Sequence, residues 1–81
     1  MYYFYVIKSK VDGKLYKGYT KDILKRLSMH NSGKVKSTKR RKPFKLIYTE
    51  SFSTKDMAIE REKYFKSLKG GKELIKILKH I

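Results

Sequence analysis

The sequence predicts an α+β fold in which a small, mainly antiparallel sheet of three strands is flanked by about three helices. Two aromatic and β-branched runs on either side of a short turn indicate a hairpin, and a similar run near the middle of the chain indicates a third strand. Apolar residues at helical spacing follow the second and third runs. A chain of 81 residues is expected to form one domain, which spans residues 1–81.

The N-terminal hairpin is predicted over residues 2–8 and 14–20. Asp12-Gly13 supplies the turn, because glycine adopts positive φ at little cost. A tight loop centred on Lys10-Val11 is an alternative to one centred on Asp12-Gly13, so the register of the hairpin stays open at this point.

Two tyrosines are expected to share one face of this hairpin. Either loop places Tyr5 and Tyr16 on the same side, because side chains alternate along a strand. Gly18 leaves room beside them for a close approach. On pattern alone, the simpler interpretation is a pair of half-buried core residues whose hydroxyl groups reach water.

The first helix is predicted over about residues 21–31, with Thr20 as its N-cap and Asp22 in its first turn. Its apolar stripe consists of Ile23, Leu24 and Leu27. Arg26 and His30 are four residues apart, so they are neighbours beside this stripe and border the core, where a site can form. The alternative is a surface arginine beside a partly exposed histidine.

A basic segment over residues 34–43 follows this helix and holds six Lys and Arg residues and no acidic one. Its composition predicts a loop that stays mobile until an anion orders it.

The third strand is predicted from Phe44 to Phe52, directly after Pro43, where the missing N–H does least harm to a sheet. Strict alternation along this strand places Phe44, Leu46 and Tyr48 on one face and Lys45, Ile47 and Thr49 on the other.

The second helix is predicted over about residues 54–69, with Ser53 or Thr54 as its N-cap and Asp56 completing a pattern like a capping box. Its buried stripe is predicted to consist of Met57, Ala58, Phe65 and Leu68. Gly70-Gly71 is expected to break this helix, and a short third helix then carries Leu74, Ile75, Ile77 and Leu78.

Two charged residues lie at the buried side of the second helix. Arg61 falls inside the stripe, where its charge needs a partner or a route to water. Glu62 lies at the edge of the stripe, and a carboxylate at the core margin of so basic a chain is a candidate metal-site or phosphate-site residue. The alternatives are an ion pair of Glu62 with Lys66 or with Arg61.

The charge of the chain restricts its partners. Lys and Arg number 22 against 7 Asp and Glu, a formal charge of +15, so nucleic acid is the first expected partner and an anionic membrane the second. The absence of cysteine excludes disulfides, thiolate zinc sites and a cysteine nucleophile. The sequence contains no signal peptide and no apolar run of membrane-spanning length, so the expected location is the cytoplasm.

The order of these motifs resembles the GIY-YIG endonuclease domain from Tyr3 to about Lys69. Tyr3-Phe4-Tyr5 stands where the family has Gly-Ile-Tyr, and Tyr16-Lys17-Gly18 stands where it has Tyr-Ile-Gly. The arginine, histidine and metal-binding glutamate of the later blocks match Arg26, His30 and Glu62. The chain most resembles the short stand-alone bacterial members, which are related to the N-terminal nuclease domain of the excision-repair subunit UvrC.

The resemblance implies metal-dependent hydrolysis of phosphodiester bonds in DNA, in repair or recombination, with Mg²⁺ or Mn²⁺ as the cofactor. The catalytic residues that it implies are Tyr5, Tyr16, Arg26, His30 and Glu62. Glu62 holds the metal, and either Tyr5 or His30 takes the proton of the attacking water, which leaves the identity of the base open. Tyr16 orients the water or the phosphate, and Arg26 stabilises the charge of the transition state. As a base, Tyr5 would need nearby cations to lower the pKa of its phenol.

Basic side chains are expected to bind the phosphate backbone without reading its sequence. The candidates are Lys17, Lys34, Lys36, Lys39, Arg40, Arg41 and Lys42. Lys17, where the family has isoleucine, is expected on a central strand whose face is open to solvent or to phosphate. The expected partner is nucleic acid, with DNA foremost, and not a membrane; a homodimer or a larger repair complex would allow both strands to be cut.

A second function is compatible with the same fold. No asparagine follows Glu62, where many active members of the family carry one, so the alternative is a nucleic-acid-binding module without cleavage. A nuclease requires Glu62 and a divalent ion, whereas a binding module loses affinity steeply with salt and is indifferent to the carboxylate. A third interpretation is a small basic protein that docks on an acidic partner or on an anionic membrane.

Overall fold

The computed structural model describes residues 1–80, in which three strands form one antiparallel sheet and three helices cover it. The elements in chain order are β1 (Tyr2–Ser9), β2 (Leu15–Thr20), α1 (Ile23–Asn31), β3 (Phe44–Phe52), α2 (Lys55–Lys66) and α3 (Leu68–Lys79). The strand order is β2-β1-β3, so β1 is the central strand and β2 lies at an edge. This arrangement confirms the predicted fold class.

The hairpin register lies midway between the two loops considered from the sequence. Ile7 is opposite Tyr16 and Tyr5 is opposite Gly18. Tyr5 and Tyr16 therefore share a face, as both alternatives predicted. A register shift of two residues leaves every side chain on the same face of the sheet. Gly13 has a φ of +71° and provides the bend of the turn.

The first helix begins later than predicted. It starts at Ile23, and Asp22 is its N-cap, with the carboxylate accepting the N–H of Lys25 at 3.0 Å. The prediction of Thr20 as the cap is wrong, because its hydroxyl instead accepts the N–H of Asp22. Leu24 is 79% exposed and so does not belong to the buried stripe.

The third strand contains a β-bulge that reverses its alternation. Val6 is paired with Tyr48 and the next residue, Ile7, with Leu46, so Ile47 is an extra residue on β3. Apolar residues before the bulge pack toward α1, and those from the bulge onward pack toward α2 and α3. The prediction of one continuous apolar face is therefore wrong for Tyr48.

The central strand supplies both faces of the core, because its side chains alternate between them. On one face, the cluster that underlies α1 consists of Tyr5, Ile7 and Phe44, with Tyr16, Leu27 and Leu46 packed around it. On the other face, the cluster that underlies α2 and α3 consists of Phe4, Val6, Phe65 and Leu74.

The glycine pair does not break a helix, contrary to the prediction. Helix α2 ends at Lys66, and Ser67 is both its C-cap and the N-cap of α3. Gly70 lies in the first turn of α3, where a Cβ would lie 1.7 Å from the carbonyl oxygen of Tyr64. Glycine thus allows the start of α3 to pack directly on the backbone at the end of α2. Leu68, predicted as buried, is 81% exposed.

The stripe of α2 is also narrower than predicted. Ala58 and Phe65 are buried, whereas Met57 is 49% exposed. Thr54 is the N-cap, since its hydroxyl accepts the N–H of Met57, and Asp56 lies in the first turn.

The basic segment folds into consecutive turns that are attached to the rest of the domain, and not into the free loop that its composition predicted. Ser9 Oγ donates to the carbonyl oxygen of Arg41, and the N–H of Lys10 donates to that of Pro43 at 2.9 Å. Thr38 is fully buried and carries a third attachment, to a histidine of α1. These contacts hold the segment beside the α1 face of the sheet.

Candidate active site

Three rings meet between the hairpin and α1. The ring centres of Tyr5 and Tyr16 are 6.3 Å apart, and that of His30 lies 6.0 Å from Tyr5 and 4.9 Å from Tyr16. The strand pairing places both tyrosines on the face that α1 covers, and His30 occupies the last turn of that helix. Three of the residues expected to be catalytic are therefore in contact.

Arg26 completes this cluster from one helical turn before His30. Its Nε–H donates to the Tyr5 hydroxyl oxygen at 3.3 Å, and that hydroxyl is also 3.0 Å from His30 Nε2. The i, i+4 spacing on α1 places both side chains on one side of the helix, so that they contact the same phenol. The alternative of a partly exposed histidine is wrong, because His30 has no exposed surface.

His30 is neutral at physiological pH. Burial, as the larger cause, and the positive charge of Arg26 together lower the pKa of its imidazole from 6.5 to about 4. A neutral imidazole has one N–H donor and one acceptor nitrogen, so His30 can accept a proton at one nitrogen while it donates at the other.

The phenol of Tyr5 is protonated in the free protein. Burial is the largest influence and raises its pKa; the hydrogen bond and charge of Arg26 oppose this increase, while the charges of Tyr16 and Glu62 add to it. The net direction is upward, so the lowering by Arg26 does not outweigh burial, and the pKa of Tyr5 is not depressed as a role as base would need. A low resting pKa therefore does not activate this phenol, and it needs a proton acceptor beside it.

Gly18 makes the position of Tyr5 possible. A Cβ at residue 18 would lie 2.7 Å from the Tyr5 hydroxyl oxygen and 2.9 Å from the ring carbon that bears it. Real side chains do not approach so closely, so the phenol occupies space that only a glycine leaves. This is the close approach expected of Gly18.

Glu62, on α2, is the residue expected to hold the metal. Its charge is the smallest of the influences that raise the pKa of the Tyr5 phenol. Its side chain is 18% exposed, and one oxygen lies 2.6 Å from Lys66 Nζ in an i, i+4 ion pair. The pairing with Lys66 that was considered as an alternative is therefore present.

Arg61 is paired elsewhere. Its guanidinium binds Glu50 through two contacts of 2.6 and 3.1 Å, and it lies over the ring of Phe65 at 4.3 Å. Since Arg61 pairs with Glu50, the alternative of a local Arg61–Glu62 pair is not formed, and Lys66 is the ion-pair partner of Glu62.

The donor set fits a metal that takes few protein ligands. Within residues 1–80, no three His, Cys, Asp or Glu side chains lie close enough together to hold a metal ion by themselves. Mg²⁺ and Mn²⁺ sites on phosphate substrates use one or two carboxylates, with water and substrate oxygens as the other ligands. The single carboxylate of Glu62 suits such a site, provided that Lys66 leaves it.

The basic residues predicted to bind phosphate fall into two groups. Five of them are exposed on the basic segment beside His30, namely Lys34, Lys36, Lys39, Arg40 and Lys42. Arg41 turns inward, where its guanidinium contacts Asp12 at 3.2 Å and the carbonyl oxygen of Leu15 at 3.4 Å. Arg41 therefore attaches the basic segment to the hairpin.

Lys17 does not join the tyrosine cluster. It lies on the edge strand β2, and not on a central strand as predicted, and its side chain leaves the sheet on the face opposite to Tyr16. Its ammonium donates to the carbonyl oxygen of Phe65 at 3.0 Å, near the end of α2. A cation at that position stabilises the helix C-terminus.

One residue of the site was not anticipated from the sequence. Thr38 Oγ1 lies 2.8 Å from His30 Nδ1, on the side of the ring away from Tyr5. The only sequence signal was a β-branched polar residue inside a strongly basic stretch, and that pattern does not predict burial.

The sequence of this chain is similar to those of known bacterial proteins. The family model of the GIY-YIG catalytic domain matches residues 1–74. The UPF0213 protein YazA of Bacillus subtilis is 53% identical over 68 residues, which cover 83% of this chain and 68% of that protein. A UPF0213 protein of Staphylococcus saprophyticus is 47% identical over 74 residues, which cover 90% of this chain and 89% of that protein.

A solved structure is similar over almost the whole chain. The solution NMR structure of a UPF0213 protein from Bacillus halodurans is 37% identical, with a TM-score of 0.57 and coverage of 95% of this chain and 85% of that one. Within residues 1–80, no helix has the length and apolarity needed to cross a membrane.

Proposed function

This chain belongs to the GIY-YIG catalytic-domain family, a family of nuclease domains, and we propose that it is a divalent-metal-dependent endonuclease that hydrolyses phosphodiester bonds in DNA. The observation that carries the proposal is the Tyr5 hydroxyl, which lies between the guanidinium of Arg26 and the imidazole of His30. A role in DNA repair or recombination is part of the proposal and is supported only by the resemblance to an excision-repair nuclease domain.

Tyr5 and His30 act in series in the proposed reaction. The oxygen of a water molecule attacks phosphorus as its proton passes to the Tyr5 oxygen, and the Tyr5 proton passes to His30 Nε2. The net transfer is one proton from water to His30, while the bond from phosphorus to the leaving oxygen breaks. His30 has no exposed surface and Tyr5 keeps 2%, so in the proposed reaction the phenol receives the proton of the water and passes its own to His30.

Substrate binding makes this transfer easier. In the free protein Arg26 contributes to the low pKa of His30, near 4. A phosphodiester bound against Arg26 brings a negative charge that offsets the guanidinium, so the pKa of His30 rises when substrate is present. The same guanidinium then stabilises the extra negative charge of the five-coordinate transition state.

The remaining site residues orient the substrate. The Tyr16 ring lies 4.9 Å from the His30 ring, and in the proposed reaction its hydroxyl orients the water or the phosphate. Glu62 would hold Mg²⁺ or Mn²⁺ after exchanging Lys66 for the cation. When bound, a divalent ion supplies electrostatic stabilisation of a phosphate oxygen and of the leaving 3′ oxygen.

Two basic surfaces support a nucleic-acid substrate. The exposed lysines and arginine of the basic segment lie on one side of His30. An open groove that includes Arg26 is lined by Lys21 and Lys25 and also by Asp22, Leu24 and Tyr3. Phosphates bound at these two surfaces would meet positive charge, which favours binding without sequence recognition.

A second candidate function is a nucleic-acid-binding module that does not cleave. The specific observation in its favour is the ion pair between Glu62 and Lys66, which occupies the carboxylate that a metal requires. The absence of an asparagine after Glu62 points in the same direction.

The test is cleavage of labelled single-stranded, duplex and branched DNA and of RNA, each with Mg²⁺, Mn²⁺ or EDTA. We expect metal-dependent cleavage of DNA that falls at least roughly 100-fold in Tyr5→Phe, because general acid–base catalysis contributes about that much or more. Tyr19→Phe makes the same change on the other face of β2 and should retain activity.

The metal assignment has its own pair of variants. Glu62→Gln should abolish the metal-dependent cleavage, whereas Glu60→Gln, on the exposed side of the same helix, should not. Full activity in Tyr5→Phe or Glu62→Gln would refute the proposed roles. Salt-sensitive binding with no cleavage of any of these substrates would establish the second candidate.

A further inference from the structure

Thr38 is the one buried residue of the basic segment. Its side chain has no exposed surface, and its hydroxyl oxygen lies 2.8 Å from His30 Nδ1 and 3.4 Å from the carbonyl oxygen of Val35. A threonine hydroxyl has one proton to donate and can accept from another donor at the same time. These two contacts, together with those of Tyr5, bear on which way each hydrogen bond runs.

The direction follows from the carbonyl of Val35, which can only accept. This oxygen also accepts the backbone N–H of Thr38 at 3.1 Å, and when the Thr38 hydroxyl donates to it, Thr38 Oγ1 accepts the proton of His30 Nδ1. His30 Nε2 then carries a lone pair, which accepts the O–H of Tyr5 at 3.0 Å.

The other end of the chain of hydrogen bonds agrees with this direction. Arg26 can only donate, so the Tyr5 oxygen accepts from its Nε–H and the Tyr5 proton must go elsewhere. The Tyr5 O–H then donates to His30 Nε2. The opposite tautomer would present an N–H to the Tyr5 oxygen and leave the Tyr5 proton without this acceptor.

This arrangement gives Thr38, His30 and Tyr5 each a hydrogen-bond partner. Among residues 1–80, no buried side-chain nitrogen or oxygen lacks a hydrogen-bond partner. A buried hydroxyl or imidazole N–H without a partner costs about 1–3 kcal/mol, so the arrangement that satisfies Thr38, His30 and Tyr5 together is strongly favoured.

We infer that Thr38 is a positioning residue, which holds His30 in the tautomer protonated at Nδ1 and so keeps Nε2 free to receive the proton of Tyr5. The inference rests on the proposed function for its catalytic meaning but not for the tautomer itself. The basic segment thus has two tasks, since its exposed side chains face the phosphate backbone and its buried threonine orients the base.

The tautomer can be measured directly by long-range ¹H–¹⁵N NMR of the ¹⁵N-histidine-labelled protein at neutral pH. The chain has two histidines, and His80 is exposed, so its signals serve as an internal reference for His30. We expect His30 to be protonated at Nδ1 in the wild type and in Thr38→Ser, which keeps the hydroxyl. In Thr38→Val, which keeps the shape without the hydroxyl, we expect loss of this tautomer or its mixture with the other.

A second variant decides the question even if Thr38→Val does not fold. Tyr5→Phe removes the hydrogen-bond partner at Nε2 and leaves Thr38 in place. If Thr38 determines the tautomer, His30 stays protonated at Nδ1 in Tyr5→Phe; if Tyr5 determines it, the tautomer changes. A wild type protonated at Nε2, a change in Tyr5→Phe, or an unchanged tautomer in folded Thr38→Val would each overturn the inference.

Cleavage kinetics provide an independent readout. Thr38→Val should lower kcat at least roughly tenfold with little change in KM, because a misoriented base affects the chemical step more than binding. Thr38→Ser should restore kcat. Absence of cleavage in the wild type would reject the proposed function. It would not affect the tautomer assignment, because the NMR measurement does not require activity.

Discussion

Gly18 and Tyr5 face each other across the first two strands, and a Cβ at Gly18 would lie 2.7 Å from the Tyr5 hydroxyl oxygen. The phenol can therefore reach Arg26 and His30 only because the neighbouring strand has no side chain at this position.

Gly18→Ala is accordingly expected to displace Tyr5 and to impair the site more than the fold. Overpacking of this kind typically costs about 1–3 kcal/mol of unfolding free energy. A shift of about 1 Å in a catalytic group can lower the rate by roughly 100-fold. Urea unfolding and DNA cleavage measure the two effects, and Gly71→Ala, where the added methyl would make ordinary contacts, serves as the control. Unimpaired cleavage in Gly18→Ala would mean that Tyr5 need not occupy this position.

Arg26→Lys is expected to lower kcat by roughly 10- to 1,000-fold, although the charge is kept. The Nε–H that donates to Tyr5 is part of a rigid planar fork, which an ammonium does not reproduce. Single-turnover cleavage measures the chemical step. Lys25→Ala removes an exposed positive charge from the residue before Arg26. It should weaken DNA binding at low salt but should not change the rate of the chemical step. Equal rates for Arg26→Lys and wild type would show that only the charge matters.

Lys66→Gln is expected to strengthen Mn²⁺ binding, because Lys66 competes with the cation for Glu62. An exposed ion pair of this kind contributes about 0.2–1 kcal/mol, which corresponds to an affinity higher by a factor of roughly 1.4 to 5. Titration of Mn²⁺ by electron paramagnetic resonance measures the change. Lys63→Gln removes the same charge from the same helix without touching an ion pair in the described residues, and should have a smaller effect. No difference between the two variants would argue against Glu62 as the metal ligand.

The protein should lose stability as the pH falls from about 6.5 to about 4, because His30 is buried in its neutral form. The pKa of His30 is about 4 in the folded state and near 6.5 when unfolded, so the unfolded state binds its proton first. The loss amounts to at most about 3 kcal/mol over this range.

Urea denaturation at several pH values would test this expectation against two variants. His30→Gln should flatten the profile between pH 6.5 and about 4.5, whereas His80→Gln, at an exposed position, should leave it unchanged. An unaltered profile in His30→Gln would show that His30 does not control the pH dependence.

Gly70→Ala is expected to destabilise the fold by about 2 kcal/mol or more, because the methyl would lie 1.7 Å from the backbone oxygen of Tyr64, which has little freedom to move. The neighbouring change Gly71→Ala meets only the Phe65 oxygen at 3.6 Å and should stabilise the helix by roughly 0.5–1 kcal/mol. Thermal unfolding compares the two. Similar values for both variants would mean that α3 can move away from α2 at little cost.

Features set by nearby residues could be predicted from the sequence. The bounds of β3 follow from its composition, and the shared side of Arg26 and His30 follows from helical spacing. The common face of Tyr5 and Tyr16 follows from alternation in either register. The expected position of Glu62, at the edge of the buried stripe of α2, follows from helical spacing alone.

Features that depend on packing between distant segments could not be predicted. The bulge at Ile47 lies within the run Leu46-Ile47-Tyr48, but such a run does not by itself identify a bulge, which arises in the pairing with β1. The apolar residues Leu24 and Leu68 fit the helical stripes but are exposed, because no other element within residues 1–80 packs over them. Thr38 is buried only because the basic segment folds back onto α1, and its composition is that of a solvated loop.

The position of β1 in the middle of the sheet has a consequence for the nascent chain. Synthesis proceeds from the N-terminus, so β1 and β2 leave the ribosome well before Phe44–Phe52, which must pair with the second edge of β1. Until then an apolar strand with unpaired N–H and C=O groups is open to other chains. We therefore expect slow translation between β2 and β3 to increase co-translational aggregation, which pulse-labelled synthesis with and without a chaperone would measure.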